Sequence, residues 1–162
     1  MMWMSWKSRL TCMLRDFVGL KKDPEDFYGP LVGLKAVRVE CAIQYPSRMP
    51  VEVPMSDGFE WLMTERLKRE GIATTASRKA PGLQAIIRSA RCISPDLMLF
   101  SVQTRLVRSD AGAGGSDTVL WRSFRVVGVT TLSRLWYDVN ATLYGQVEQF
   151  AGDHSSINET KV

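Results

Sequence analysis

Apolar and polar residues alternate along the chain from Leu34 to Tyr45, and this is its most regular pattern. The apolar set is Val37, Val39, Cys41, Ile43 and Tyr45, and the residues between them are Arg38, Glu40, Ala42 and Gln44. A period of two places the two sets on opposite sides of a strand. The segment is therefore predicted to be a strand with one buried face.

Further strands are predicted at residues 72–78, 83–93, 97–108 and 118–128, each bounded by turn-forming residues. A glycine-rich stretch, residues 109–117, separates the last two and predicts a flexible hairpin connection. In the strand at 97–108, one face is expected to consist of Met98, Phe100, Val102, Thr104 and Leu106.

Apolar spacings of three and four predict two helices in this part of the chain. The first is expected to begin at Asp57, which with Glu60 fits an N-terminal capping pair, and to end at Gly71 in the left-handed conformation. The second runs from about Thr131 to Phe150. The predicted buried stripes are Phe59, Leu62, Met63 and Leu67 in the first helix, and Leu132, Leu135, Trp136, Val139, Leu143, Val147 and Phe150 in the second.

This order, β-α-β-β-β-β-α, predicts an α+β fold of the two-layer sandwich type. Short connections favour a mostly antiparallel sheet of four or five strands. The two helices would cover one face of the sheet, and an N-terminal amphipathic helix would precede the whole arrangement.

The order is similar to that of small accessory domains of bacterial envelope machines, such as the lipopolysaccharide-assembly lipoprotein. The segment GFEWLMTERLKREGI and the strands after it carry the resemblance. The lipoprotein signal and lipidated cysteine of that group are not seen, and no residue-specific motif is shared. The resemblance therefore implies an α+β accessory domain, and no functional residue is transferred from it.

The first 22 residues concentrate the charge of the chain on an amphipathic helix. An apolar stripe of Trp3, Trp6, Leu10, Met13, Leu14 and Phe17 recurs at helical spacing, and Lys7 and Arg9 lie among its cations. The segment has five basic residues and one acid, a net +4, which equals the net charge of all 162 residues. Tryptophan beside cations suits a membrane interface or a partner's groove. These eight residues are the predicted membrane- or partner-binding site.

Four parts are predicted along the chain. Residues 1–22 form the attachment helix, and 23–33, which contain two prolines and two glycines, form a linker. Residues 34–151 form the α+β domain, and the polar residues 152–162 form a flexible tail. The composition, 45% hydrophobic and 23% charged, is that of a globular protein. No run of apolar residues is long enough to span a bilayer.

The residues that usually carry catalysis do not converge in this sequence. His154, the single histidine, falls in the predicted tail and is expected to be solvated. The three cysteines form no CxxC pair, which predicts neither a disulfide framework nor a zinc site. The GAGG stretch lacks the Lys-Ser/Thr of a phosphate-binding loop. We therefore expect no enzyme activity, no cofactor and no metal.

The sequence predicts a non-enzymatic accessory or assembly subunit of a membrane-associated complex, docked through its N-terminal helix to other protein subunits and to the membrane surface. A peripheral location on the cytoplasmic side is expected, with mitochondria as an alternative. The helix packing on its own domain is a second interpretation. An RNA- or ribonucleoprotein-associated accessory protein is the alternative function, suggested by the segment WRSFR at residues 121–125.

Overall fold

The computed structural model describes residues 31–47, 49, 54–109 and 115–159. Within these ranges the predicted two-layer α+β fold is confirmed, with a six-stranded sheet and two long helices. The elements are β1 (Ala36–Gln44), α1 (Ser56–Arg69), β2 (Ala73–Thr74), β3 (Gly82–Arg91), β4 (Leu97–Ser109), β5 (Asp117–Arg122), β6 (Val126–Thr131), a 3-10 turn (Leu132–Arg134) and α2 (Leu135–Glu159).

The sheet is mixed, with strand order β2-β1-β3-β4-β5, and β6 also pairs with β4. β3, β4 and the last two strands are antiparallel, as predicted. The expectation of antiparallel pairing is wrong for β1, which runs parallel to both β2 and β3. The reason is the crossover through α1, which returns the chain to the end of the sheet where β1 began.

The strand predicted at 118–128 is two strands in the structure. β5 and β6 lie along successive parts of the same edge of β4, with residues 123–125 between them. Ser123 fixes the interruption: its backbone N–H donates to the Thr104 carbonyl at 2.8 Å, and its Oγ accepts the Thr104 N–H at 3.0 Å. The break is therefore anchored on both sides of one β4 residue.

Both helices bury their predicted stripes against the same face of the sheet. Leu62 in α1, and Leu132 and Trp136 at the start of the second stripe, are only partly buried. The remaining stripe residues are buried together with the inward residues of the strands: Phe59, Met63, Leu67, Leu135, Val139, Leu143, Val147 and Phe150 from the helices, and Val37, Leu83, Ala85, Ile87, Met98, Phe100, Val102 and Leu106 from the sheet. The core is thus one continuous layer.

The two ends of α1 differ in how well the sequence predicted them. Gly71 has φ of +75°, and the N–H of Ile72 bonds to the Leu67 carbonyl at 3.0 Å, which confirms the predicted left-handed C-terminus. The prediction that Asp57 and Glu60 cap the other end is wrong. The helix begins at Ser56 after Met55, and no side chain caps it. Glu60 is directed to β1, as described below.

The predicted flexible tail is wrong for residues 152–159, which continue α2 to Glu159. Asn158 explains the order: its side chain accepts the Gly33 N–H at 3.0 Å and donates to the Leu31 carbonyl at 3.2 Å. His154 Nε2 lies 2.8 Å from the Leu34 carbonyl oxygen, so the imidazole is not a free solvated group. Leu31 is fully buried, and the predicted linker therefore joins the packed domain by that residue.

One buried polar side chain ties α2 to the middle of the sheet. Gln146 Nε2 donates to the carbonyls of Val102 at 2.8 Å and Phe124 at 3.1 Å. Its Oε1 accepts the hydroxyl of Thr104 at 2.9 Å. Without Gln146 the buried Thr104 hydroxyl would lose its acceptor and the Val102 carbonyl would lose a donor, whereas the Phe124 carbonyl would keep its bond from Ser123 Oγ at 3.1 Å.

Gln146→Leu is expected to lower the free energy of unfolding by about 1–3 kcal/mol, since it removes the acceptor of the buried Thr104 hydroxyl and a donor to the Val102 carbonyl. Urea unfolding monitored by tryptophan fluorescence measures the change. Gln149→Leu is the matched control, because Gln149 is an exposed residue of the same helix. Equal stabilities of the two variants would show that the Gln146 bonds contribute nothing net.

Gly128 of β6 faces the ring of Phe100 so closely that a Cβ there would lie 2.6 Å from Cζ. Gly128→Ala is expected to destabilise the domain by about 1–3 kcal/mol through overpacking. Gly145→Ala should instead stabilise it by roughly 0.5–1 kcal/mol, since that helical glycine has open space around it. Opposite shifts in melting temperature would confirm both, and a rise in both variants would contradict the Phe100 contact.

Candidate interaction surface

Only one face of the sheet is covered by the helices. Among the described residues, no helix packs on the opposite side, which we call the open face. Strand register assigns its members, because residues directly opposite in neighbouring strands point the same way. The open face comprises Arg38, Glu40, Ala42 and Gln44 of β1, Gln84, Ile86, Arg88 and Ala90 of β3, Leu97, Leu99, Ser101, Gln103, Arg105 and Val107 of β4, Arg122 of β5, and Val127 and Val129 of β6.

A hydrogen-bonded row of polar side chains crosses one half of the open face. Glu40 accepts Arg38 Nε at 2.5 Å and Gln84 Nε2 at 2.6 Å. Gln84 in turn accepts Arg105 Nε at 3.0 Å, and Arg105 lies opposite Arg122 in the next strand. The row contains three arginines and one carboxylate, so this half of the face is cationic.

Glu40 stays ionised within that row. Burial by itself would raise the pKa of its carboxyl group, but the hydrogen bonds from Gln84 and Arg38, together with the charge of Arg38, outweigh burial and lower the pKa. The row therefore keeps its bonding pattern at neutral pH, with Glu40 as a fixed acceptor that orients Arg38 and Gln84.

The other half of the open face is more apolar. Ala90, Leu99 and Val129 form one row across three strands, in which Leu99 is buried. Val127 lies in the next row with Arg88 and Ser101, and Ile86 lies one row further, opposite Gln103. Val129 is 56% exposed. A cationic half beside an apolar half on one sheet face is the composition expected of an interaction surface, where arginine is enriched and the centre is apolar.

The break between β5 and β6 presents an aromatic side chain at the edge of this face. Phe124 is 76% exposed, and the neighbouring Arg125 donates from Nη2 to Gln103 Oε1 at 3.1 Å. Trp121 points the opposite way, into the core, where its Nε1 donates to Asp153 Oδ2 at 2.8 Å and its ring contacts Phe150. The two aromatics of WRSFR lie on different sides and do not form one stacking platform.

In the described part of the chain, the thiols and the imidazole lie in environments that suit packing rather than reaction chemistry. Burial raises the pKa of the Cys41 thiol to about 12, with the nearby Glu60 carboxylate adding to the effect. Burial also raises the pKa of Cys92. His154 contacts a backbone carbonyl, as above. Over the described ranges, no three His, Cys, Asp or Glu side chains are grouped so that they could bind a metal ion.

The residues predicted from sequence to form the binding site lie outside the described residues. They are Trp3, Trp6, Lys7, Arg9, Leu10, Met13, Leu14 and Phe17. The open face was not predicted as a site. Its residues are the polar alternates of several strands, and only the register that joins those strands shows that they form one surface.

Comparisons with known proteins add a limited result. No protein-family model matches the chain, and no curated protein matches it. Among solved structures it is similar to a minor lipoprotein from Acinetobacter baumannii, with TM-score 0.43, 11% identity, and coverage of 77% of this chain and 93% of that one.

It is also similar to rare lipoprotein B from Shewanella oneidensis, with TM-score 0.36, 11% identity, and coverage of 72% of this chain and 94% of that one. A putative neuraminyllactose-binding hemagglutinin homolog from Helicobacter pylori gives TM-score 0.38, 8% identity, and coverage of 82% and 91%. At these values the similarities carry no argument about function. In the described part of the chain, neither helix has the length and hydropathy needed to cross a bilayer.

The Cys41 thiol is expected to react more slowly with iodoacetamide than Cys92 near neutral pH, since its pKa is about 12 and little thiolate forms. The comparison uses two chains, each with the other two cysteines replaced by serine. Unfolding in urea should make the two rates equal. The pKa of the Cys41 thiol in the folded protein lies above the ordinary value of 9.0. The contribution of this thiol to the free energy of unfolding is therefore lost as the pH rises from 9.0 toward 12. Equal rates in the folded state would contradict the assignment.

Proposed function

We propose that this protein is a non-enzymatic accessory subunit of a membrane-associated protein complex, attached through its N-terminal residues 1–22. The observation that carries the proposal is the open face, where a cationic half adjoins an apolar half. A domain whose helices serve only one face of its sheet leaves the other available to a partner. The partners proposed are other protein subunits, together with peripheral contact with the membrane on its cytoplasmic side.

The open face has the features of a docking surface. Arg38, Arg105 and the adjoining Arg125 are held by hydrogen bonds to Glu40, Gln84 and Gln103 respectively. Less side-chain entropy of these three arginines is therefore lost when a partner binds. Its apolar half includes the exposed Val129. Val129 lies at the end of a row that continues through the buried Leu99 to the half-buried Ala90, so an exposed apolar group stands beside the arginines, as at the centre and rim of an interface.

Attachment through residues 1–22 is supported by the distribution of charge. These residues carry a net +4, and residues 23–162 sum to zero. Cations beside tryptophans favour an anionic lipid surface, to which both charge and apolar burial contribute. Leu31, packed in the core and bonded to Asn158, fixes the point at which this segment joins the folded domain.

The non-enzymatic assignment is supported by the roles of the reactive side chains. Cys41 is a neutral thiol, and His154 bonds to the Leu34 carbonyl at the junction of α2 and β1. A general base must lie within reach of a substrate proton, and a nucleophile needs an adjacent base. Among the described residues these groups are committed to packing and backbone contacts.

An RNA-associated accessory protein is the second candidate, and the observation that favours it is the pairing of Arg105 with Arg122 on the open face. Phosphate binding releases counterions, so its affinity falls steeply with added salt. Burial of tryptophan in a membrane is far less sensitive to salt. Binding measured at low and high ionic strength therefore distinguishes the two candidates.

Deletion of residues 1–22 is expected to leave a folded domain of zero net charge that no longer sediments with anionic phospholipid vesicles. Circular dichroism and a thermal melt check the fold, and vesicle sedimentation checks attachment. The proposed attachment site is wrong if the shortened chain unfolds or sediments as the full chain does.

A matched pair of tryptophan variants separates the attachment helix from the domain surface. Trp3→Ala with Trp6→Ala should reduce sedimentation with vesicles. Trp61→Ala should not, although Trp61 is 67% exposed on α1. Loss of sedimentation on changing Trp61 would assign the contact to the domain.

A further inference from the structure

Among the described residues, one edge of β1 is paired only at its beginning. β2 contributes two residues, Ala73 opposite Ala36 and Thr74 opposite Val37. The last backbone bond on that side joins the Thr75 N–H to the Val37 carbonyl at 3.0 Å. Beyond this point, no described strand pairs with β1 on that side, although β1 continues to Gln44 and is fully paired with β3 on the other side.

The direction of the backbone groups follows from two bonds. The Arg38 N–H donates to the Pro81 carbonyl at 2.8 Å, which is toward β3. Successive residues of a strand direct their N–H and C=O groups to alternate sides, so Val39, Cys41 and Ile43 direct theirs to the open edge. A second observation agrees: the Cys41 N–H donates to Glu60 Oε1 of α1 at 3.1 Å, across that edge.

A groove follows the edge. It has a volume of about 410 Å³, within the range of roughly 300–1,000 Å³ typical of binding sites. Val39 forms its sheet side, Glu60 and Thr64 of α1 form the opposite wall, and Thr74–Ala76 close one end. Arg38 also lines it. The groove therefore combines polar side chains with strand backbone that no described strand pairs, and a peptide strand that enters it at Val39 continues along β1 past Cys41 and Ile43.

We propose that this groove binds an extended peptide segment of another protein, which adds to the sheet as a strand beside β1, in line with β2. Backbone groups of the peptide pair with those of Val39, Cys41 and Ile43, as in strand addition to an exposed sheet edge. The proposal uses neither residues 1–22 nor a partner on the open face, so it goes beyond the proposed function and does not depend on it.

Glu60 gives the site its selectivity. In the free protein its carboxylate accepts the hydrogen bond of the Cys41 N–H. When the added strand forms, a carbonyl of the peptide replaces the carboxylate as the acceptor of that N–H. The displaced carboxylate then stabilises a cation in the groove, so a peptide with a basic side chain at that position is favoured. A second copy of this chain is a poorer occupant, since its own β2 and α1 flank its edge as they do here.

The test uses the full-length protein labelled with ¹⁵N and a synthetic peptide of the β3 sequence, GLQAIIRSAR, as the probe. This sequence already pairs in parallel with the other edge of β1, and it contains arginine. Exchange of the Val39 and Ile43 amide protons with solvent is followed by NMR. We expect fast exchange in the free protein and slowing by about tenfold or more with millimolar peptide, while the Arg38 amide is unchanged.

Two control peptides carry N-methyl groups on complementary alternate residues. One loses the donors that face β1 and should give no protection, whereas the other keeps them and should protect as the unmodified peptide does. Glu60→Ala should bind the unmodified peptide about fivefold more tightly than Glu60→Gln, since only glutamine still supplies an acceptor for Cys41.

Three results would overturn the proposal. One is slow exchange of Val39 and Ile43 without peptide, which would mean that the chain itself covers the edge, or a second copy does if the effect depends on protein concentration. The second is no slowing with millimolar peptide. The third is equal protection by both N-methylated peptides. None of these results affects vesicle attachment through residues 1–22, so the two proposals fail independently.

Discussion

The packing of α2 along β4 is the constraint on which the rest of the structure depends. Among the described strands, β4 is the longest and the only one that pairs with three others, β3, β5 and β6. α2 crosses it with a stripe of fully buried residues, and Gln146 bonds to the β4 backbone and to Phe124 at the strand break. The same helix bonds near its C-terminus to the segment that enters β1. One helix–strand contact therefore orders both edges of the sheet and the start of the domain.

Periodicity was enough to predict the layers but not the connections that depend on distant partners. The apolar stripes of both helices and the alternation in β1 are local patterns, and each led to the correct buried face. The break at Ser123 was missed because it depends on Gln146, a polar residue within an apolar stripe whose partners lie in other strands. The helical tail was missed for the same reason: His154 and Asn158 look like solvated residues until Leu31 and Leu34 are placed beside them.

The candidate surfaces show a similar division. The tryptophan-bearing attachment segment is a feature of the sequence alone, and its residues remain a prediction. The open face needed strand register before Glu40, Gln84, Arg105 and Arg122 became one row. The edge of β1 that no described strand pairs beyond Val37 could not be predicted either, because nothing in residues 73–74 indicates that β2 stops after two pairs. Such surfaces are properties of tertiary arrangement, and composition gives no signal for them.

The mixed topology explains why β1 has an edge that no described strand pairs beyond Val37. Since β1 and β3 are parallel, the chain must cross from one to the other through α1, and α1 then lies over β1 rather than beside it. β2 is formed on the return path and has room for only two residues before the chain turns back toward β3. Long unpaired edges promote aggregation and are usually blunted by charge or by a covering element. Here Glu60 of the crossover helix accepts a hydrogen bond from the Cys41 N–H at this edge. The carboxylate therefore satisfies one backbone donor of the edge without occupying the place of an added strand. The crossover helix α1 thus makes β1 parallel to β3, and it also forms one wall of the groove, including the Glu60 carboxylate.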